Sequence, residues 1–209
     1  MKPTLGHVYL VDDDPDVRLF LGNLLHLLGY SVDVYEDADS FLSRSVDIAP
    51  AVLLLDMRMP GLSGLQAMGL LRALGRTTPV VFISGDSRSQ EIIDAMKGGA
   101  TDFLCKPFTK EQLIVAVNLG LQRDSAAHQD AKRQEALRRR YGTLTERERE
   151  VFGLILMGHP NKTIGLITGI QAGTAKKHRA GVFAKMGVSS TAELITTCRG
   201  IRLQELDMP

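Results

Sequence analysis

The sequence predicts two folds in tandem: a doubly wound α/β domain on a five-stranded parallel sheet, then a small all-α domain, joined by a long helical linker. Three observations carry this. The first half alternates five short apolar runs with longer segments of helical spacing, as parallel strands covered on both faces do. The second half keeps the helical spacing and loses the strands. The charge divides along the same line. Residues 1–125 carry 11 Lys and Arg against 16 Asp and Glu, and residues 126–209 carry 14 against 8. An acidic half therefore precedes a basic one, which points only the second half at a polyanion. With 209 residues the chain is long enough for two domains. The expected bounds are 1–122 for the α/β domain, 123–142 for the linker and 143–209 for the helical domain.

The expected strands are HVYLV (7–11), SVDVY (31–35), AVLLL (51–55), PVVFI (79–83) and TDFLC (101–105). Pro15 suits a first helical turn, Val17, Leu21, Leu24, Leu25 and Leu28 follow at helical intervals, and Gly29 stops the helix. Segments around Phe41–Leu42, Leu65–Leu74, Ile92–Met96 and Leu113–Leu121 repeat the theme. From about Thr109 to Gly142 the chain holds good helix formers and no proline, and its apolar stripe fades after Leu121, which reads as a helix running out into a solvated linker, with a partly disordered tether as the alternative. Beyond it, Thr145 with Glu148 makes a capping box, and Gly158, Gly169 and Gly187 punctuate about four short helices. No internal repeat is present.

Composition excludes several classes. Apolar residues are 44%, enough for a sizeable core. No apolar run approaches the ~18–20 residues of a membrane span. The N-terminus lacks the layout of a signal peptide, so a cytoplasmic protein is expected. Cys105 and Cys198 stand far apart without metal-ligand spacing and are read as reduced bystanders.

Chemistry collects at the carboxyl ends of strands in open parallel sheets. The sequence sends Asp12, Asp13 and Asp14 to the end of the first strand, Asp56 to the third, Ser84 to the fourth and Lys106 to the fifth. Carboxylates so gathered raise one another's pKa unless a cation answers them. A hard divalent ion such as Mg²⁺ takes a few carboxylates and retains waters, leaving room for a phosphate oxygen. Asp56 would then be a nucleophile able to form an aspartyl phosphate, with Lys106 neutralising phosphoryl charge and the Ser84 hydroxyl donating to it.

The run VDDD, LLLDMRMPGLSG, FISG, DFLCKPF resembles the receiver domain of two-component response regulators over about residues 5–122. The resemblance implies an acidic pair in Asp12 and Asp13, with Asp13 preferred as the direct metal ligand. It implies Asp56 as phosphoacceptor, the Arg58 backbone carbonyl as a further Mg²⁺ ligand, Ser84 as switch hydroxyl, Phe103 as switch aromatic and Lys106 as the phosphate-binding lysine before a cis Pro107. Ser84 lacks the methyl of the threonine often found there. Phe103 has no phenolic OH, so its switching would act through packing. Asp14 fits none of these roles and is read as a solvated neighbour.

In the basic half, GHPNKTIGLITGIQAGTAKKHRAGVFAKMGV (158–188) carries two helix candidates around a turn. Ala175, Val182 and Met186 are spaced for an inner face, while Lys176, Lys177 and Ala180 fall opposite. Small Gly173, Ala180 and Gly181 would admit a phosphodiester backbone. This is a helix-turn-helix layout, with the second helix in the major groove of double-stranded DNA. LTERERE, GHPNKTI, TAKKHR and KMGVSSTAEL together resemble the LuxR/NarL-type DNA-binding domain over about residues 143–202, and the whole chain is similar to the FixJ/NarL class of response regulators. The resemblance implies that Thr174, Lys176, Lys177, His178 and Arg179 contact DNA from the recognition helix. Asn161 and Lys162 would do so from the start of the supporting helix. The helix from about Thr191 would serve dimerisation. Departures cluster at the turn: Thr168 for a core leucine, Gln171 for a serine cap, Ala175 for valine, and Gly165 and Gly173 within helices. They predict a marginally stable helical domain.

The function implied is a transcriptional regulator phosphorylated by a sensor histidine kinase, homodimeric when phosphorylated, and not an enzyme with an external substrate. Two rivals belong to other classes. A phosphatase of the haloacid dehalogenase type needs a second acid two residues after its nucleophile, where this chain has Arg58. An adaptor would use the C-terminal helices to bind protein instead of DNA, with weaker salt dependence. A nucleotide-binding fold is disfavoured, since neither GxGxxG nor a P-loop occurs.

Overall fold

The computed structural model describes residues 4–44, 48–85 and 89–199. The chain forms two compact units, Met1–Gln129 and Asp130–Pro209.

The first unit is a parallel sheet of β1 (His7–Val11), β2 (Ser31–Tyr35), β3 (Ala51–Asp56), β4 (Val80–Ser84) and β5 (Asp102–Cys105). The strand order is β2-β1-β3-β4-β5, so the order reverses between β1 and β3. Helices α1 (Pro15–Leu27), α2 (Ala38–Leu42), α3 (Gly64–Ala73), α4 (Ser89–Lys97) and the start of α5 (Lys110–Gly142) cover it. Every residue of β1, β3 and β4 is buried, which explains their unbroken apolar runs. Alternation decides which face each residue joins. Tyr9, Val11, Leu53 and Leu55 pack with Met68 and Leu71 of α3 and Ala95 of α4. Val8, Leu10, Val52 and Leu54 pack with Leu21 and Leu25 of α1 and with Leu113, Val117 and Leu121 of α5.

The second unit contains α6 (Glu146–Leu156), α7 (Asn161–Thr168), α8 (Ala172–Met186) and α9 (Thr191–Thr197). The capping box at Thr145 and Glu148 forms as expected. Ala175, Val182 and Met186 face a core with Val151, Phe152, Ile155, Ile164 and Leu194.

The segment 123–142 differs from a solvated linker at both ends. Asp124 is buried, and its Oδ2 accepts from the Ala51 N–H at 2.8 Å, closing the start of β3. Leu137 and Tyr141 are buried in the core of the second unit. Arg133 donates to the carbonyls of Thr196 and Thr197 at 3.2 and 3.0 Å, and Arg140 to that of Met186 at 3.0 Å. The last turns of α5 thus cap the C-termini of α8 and α9, whose final carbonyls lack helical partners.

Gly165 and Gly181 read differently in the structure than in the sequence, while Gly169 ends a helix as expected. A Cβ on Gly165 would stand 2.7 Å from the Ile170 carbonyl, so this residue lets the turn close onto α7. Gly169 ends α7 at φ 70°, a left-handed cap. Gly181 was expected to admit DNA. A Cβ there would instead stand 2.6 Å from Glu148 Oε1, so its space belongs to α6 packing. Thr168 is buried, with its hydroxyl donating to the Ile164 carbonyl at 2.7 Å, and Gln171 caps α8 without a side-chain bond.

Replacing Leu137 with Ala should destabilise the second unit by about 2–5 kcal/mol, through a cavity in a core that the linker segment completes. Urea unfolding followed through probes in each unit should show the loss in the second unit alone. A second prediction concerns acid. The Lys185 ammonium, 2.6 Å away, and the Thr145 N–H hold the Glu148 carboxyl below its ordinary 4.5. A lowered folded value stabilises the fold above 4.5, and that stability disappears as pH falls through the folded value. E148Q should flatten this part of the pH profile and lower stability near neutrality.

Candidate functional site

The reversal of strand order between β1 and β3 opens a crevice at the carboxyl edge of the sheet, where such folds place their chemistry. Asp12 follows β1 and Asp56 ends β3. Both are buried, at 1% and 7% exposure. Lys106, just after β5, reaches across β4 and places Nζ 2.9 Å from Asp12 Oδ2 and 3.1 Å from Asp56 Oδ1. The remaining carboxylate oxygens are also held. Asp12 Oδ1 accepts from the Asp14 N–H at 3.0 Å, and Asp56 Oδ2 from the Arg58 N–H at 2.7 Å. The Lys106–Pro107 peptide is cis.

The electrostatics follow from this geometry. Burial pushes the Asp56 carboxyl above its ordinary value, against the Arg58 N–H and Lys106, which pull it down. Burial pulls Lys106 down, but the bond and charge of Asp12, then of Asp56, outweigh it and hold the ammonium above its ordinary range. Removing the lysine would leave two buried carboxylates facing each other.

The other expected residues surround this triad. Ser84 is buried at the end of β4, and its carbonyl accepts from Lys106 N–H at 2.7 Å. Phe103 on β5 packs beside Phe82, ring centroids 6.2 Å apart. Asp13 and the Arg58 side chain are exposed. Asp14, read from sequence as a bystander, instead caps α1: its carboxylate accepts from the N–H groups of Asp16 and Val17. Asp14 followed by Pro15 was a readable cap signal. Long-range partners left no sequence signal. Arg18 donates to the Asp12 carbonyl at 2.6 Å, and Arg58 pairs with Glu91 of α4 at 3.1 Å. Gly64 belongs here too, since a Cβ on it would stand 2.4 Å from the Asp56 carbonyl.

Among the described residues, no three His, Cys, Asp or Glu side chains are gathered as a metal site. The donor set still fits Mg²⁺. It is all oxygen, and Asp12 and Asp56 already share one cation, with Asp13 adjacent.

In the second unit, Thr174, Lys176 and Lys177 lie exposed on α8, with His178 half-buried beside them. Lys162 is exposed near the start of α7, and Asn161 is half-buried at its first position. Arg179 turns towards the protein, donating to the His159 carbonyl, Asn161 Oδ1 and Thr191 Oγ1. Among the described residues, no helix is long and apolar enough to cross a membrane.

Comparison with known proteins covers both units. The response regulator receiver domain family matches residues 8–118, and the luxR family of bacterial regulatory proteins matches residues 142–198. The response regulator protein TodT of Pseudomonas putida is 36% identical over 93% of this chain and 86% of its own. The transcriptional regulatory protein FixJ of Rhizobium meliloti is 36% identical over 90% of this chain and 92% of its own. Among solved structures, the response regulator StyR matches with a TM-score of 0.81 at 38% identity, covering 91% of this chain and 96% of StyR. Full-length FixJ from B. japonicum matches at 0.58 and 30%, covering 94% and 97%.

The raised Asp56 value sets a stability test. The folded chain holds that proton more tightly than the unfolded one, so the ionised carboxylate costs stability above its ordinary 3.8. The cost grows as pH rises through the folded value. With divalent ions chelated, D56N should therefore be more stable than wild type near neutral pH, and the difference should shrink as pH approaches 3.8. Denaturation of both proteins across that range measures it.

Proposed function

We propose that this chain, which belongs to the FixJ/NarL class of transcriptional response regulators, accepts a phosphoryl group on Asp56 from a sensor histidine kinase and is thereby switched to bind promoter DNA. The observation that carries this reading is the convergence of Lys106 on Asp12 and Asp56 at the strand-order reversal. A carboxylate kept buried yet answered by one ammonium is a nucleophile held ready.

Residues 1–122 act as the receiver, 143–209 carry the helix-turn-helix, and 123–142 connect them. In the transfer step an Asp56 oxygen attacks the phosphorus of a phosphohistidine. The P–O bond forms, the P–N bond breaks, and the imidazole leaves with the electron pair and takes up a proton. Lys106 Nζ, already 3.1 Å from Asp56, follows the growing charge onto the phosphoryl oxygens. The Ser84 hydroxyl donates to one of those oxygens, and Phe103 repacks beside Phe82 as Ser84 moves. Mg²⁺, held by the carboxylates of Asp12, Asp13 and Asp56 and the Arg58 carbonyl, would neutralise charge at the same place. The role of Asp56 is stoichiometric acceptance, with no external substrate turned over.

The change shifts an equilibrium in the receiver towards homodimerisation, and two copies read paired half-sites in double-stranded DNA. Lys162, Lys176, Lys177 and Thr174 hold phosphates around α8, and His178 and Asn161 support them. Arg179 acts from within the unit.

Intact mass after incubation with Mg²⁺ and a small phosphodonor tests the first step. Wild type should gain one phosphoryl group and D56N none. A folded, Mg²⁺-binding wild type that gains nothing would exclude phosphoryl switching while leaving DNA binding in place.

A further inference from the structure

We propose that Arg179, although it lies among the basic residues of α8, is a positioning residue that sets the pose of that helix and orients Asn161, and is not a phosphate contact. This rests on α8 being the helix that enters DNA.

The guanidinium joins three other places in the second unit. Its Nη1 donates to the His159 carbonyl, in the turn before α7, at 3.1 Å, and to Asn161 Oδ1, at the start of α7, at 3.4 Å. Its Nη2 donates to Thr191 Oγ1, the first residue of α9. The plane also lies over Phe183, one turn further along α8, with Cζ 5.4 Å from the ring centroid. One side chain of α8 therefore binds the turn before α7, the start of α7 and the start of α9. The planar fork suits such divided bonding, and an ammonium, a point donor on a flexible stem, does not.

The same bonds bear on Asn161. A guanidinium only donates, so the Asn161 amide must turn its oxygen to Arg179. That leaves the Nδ2 donors for an outside acceptor, which is the polarity that a base-edge acceptor such as guanine N7 or O6 requires. The support is needed because α8 begins poorly. Gln171 gives no side-chain cap, and Gly173 follows in the first turn.

The test uses the full chain and two probes: a duplex selected by wild type from a randomised library, and a mixed-sequence duplex. R179M should lower affinity for the selected duplex roughly tenfold or more. Its affinity for the mixed duplex, and the slope of log affinity against log salt, should match wild type. K177M, a phosphate contact, should reduce that slope by about one. R179K should not restore the preference. A slope reduced in R179M and restored in R179K would make Arg179 a phosphate contact and overturn the proposal. Equal loss on both duplexes would reduce it to a merely structural residue and overturn it too. A second measurement needs no DNA. The Arg179 guanidinium N–H protons should exchange slowly with water by NMR, and fast exchange would refute the bonding. If wild type binds neither duplex, the DNA-binding reading fails, and the exchange rate still decides whether Arg179 is bonded.

Discussion

Two carboxylates at the inner end of an apolar sheet must share a cation or give up their charge. In the first unit that condition governs much else. Asp12 and Asp56 have almost no access to water, and Lys106 is the cation that meets both. Removing Lys106 from such a buried arrangement leaves both carboxylates uncompensated, at a cost of about 3–5 kcal/mol in comparable pairs. The surroundings read as consequences. Arg18 fixes the carbonyl of Asp12, the Arg58 N–H fixes one oxygen of Asp56, and the absent side chain of Gly64 lets α3 start against the acceptor strand. The reactivity proposed for Asp56 depends on the same poise.

In the second unit, positive charge has two distinct uses. Arg133 and Arg140 serve carbonyls at helix C-termini, Arg179 serves a carbonyl, an amide and a hydroxyl, and Lys185 serves Glu148 and the Thr143 carbonyl. Formal charge therefore overstates what faces a nucleic acid. The exposed cations on α8 are Lys176 and Lys177, and the arginine next in line is engaged internally. A basic count locates the half of the molecule that meets DNA, but it does not say which cations do so.

The three central strands β1, β3 and β4 were readable because their signal is local: apolar runs buried on both faces. The residues at their ends were readable for the same reason, since a parallel sheet brings every carboxyl end to one edge. Partners supplied from elsewhere were not. Nothing near Arg58 announces Glu91, thirty-three positions away, and nothing near Arg179 announces Thr191. Asp14 before Pro15 carries an ordinary helix-cap signal, although it also stands in a run of three carboxylates. The fade of the apolar stripe after Leu121 was real, but the pair Leu137 and Tyr141, one turn apart, restarts it for a different core.

The space above Gly181 is filled by a carboxylate oxygen from another helix. That makes positions 148 and 181 a matched pair. A side chain at 181 would have to push aside the Glu148 carboxylate, which the capping box and Lys185 hold in place. A shorter residue at 148 then gives up the capping box and the bond to Lys185. Either change alone is disfavoured, and both together are tolerable only if the end of α8 finds another anchor. A glycine in a helix, which alone looks like a defect, here records the residue opposite it.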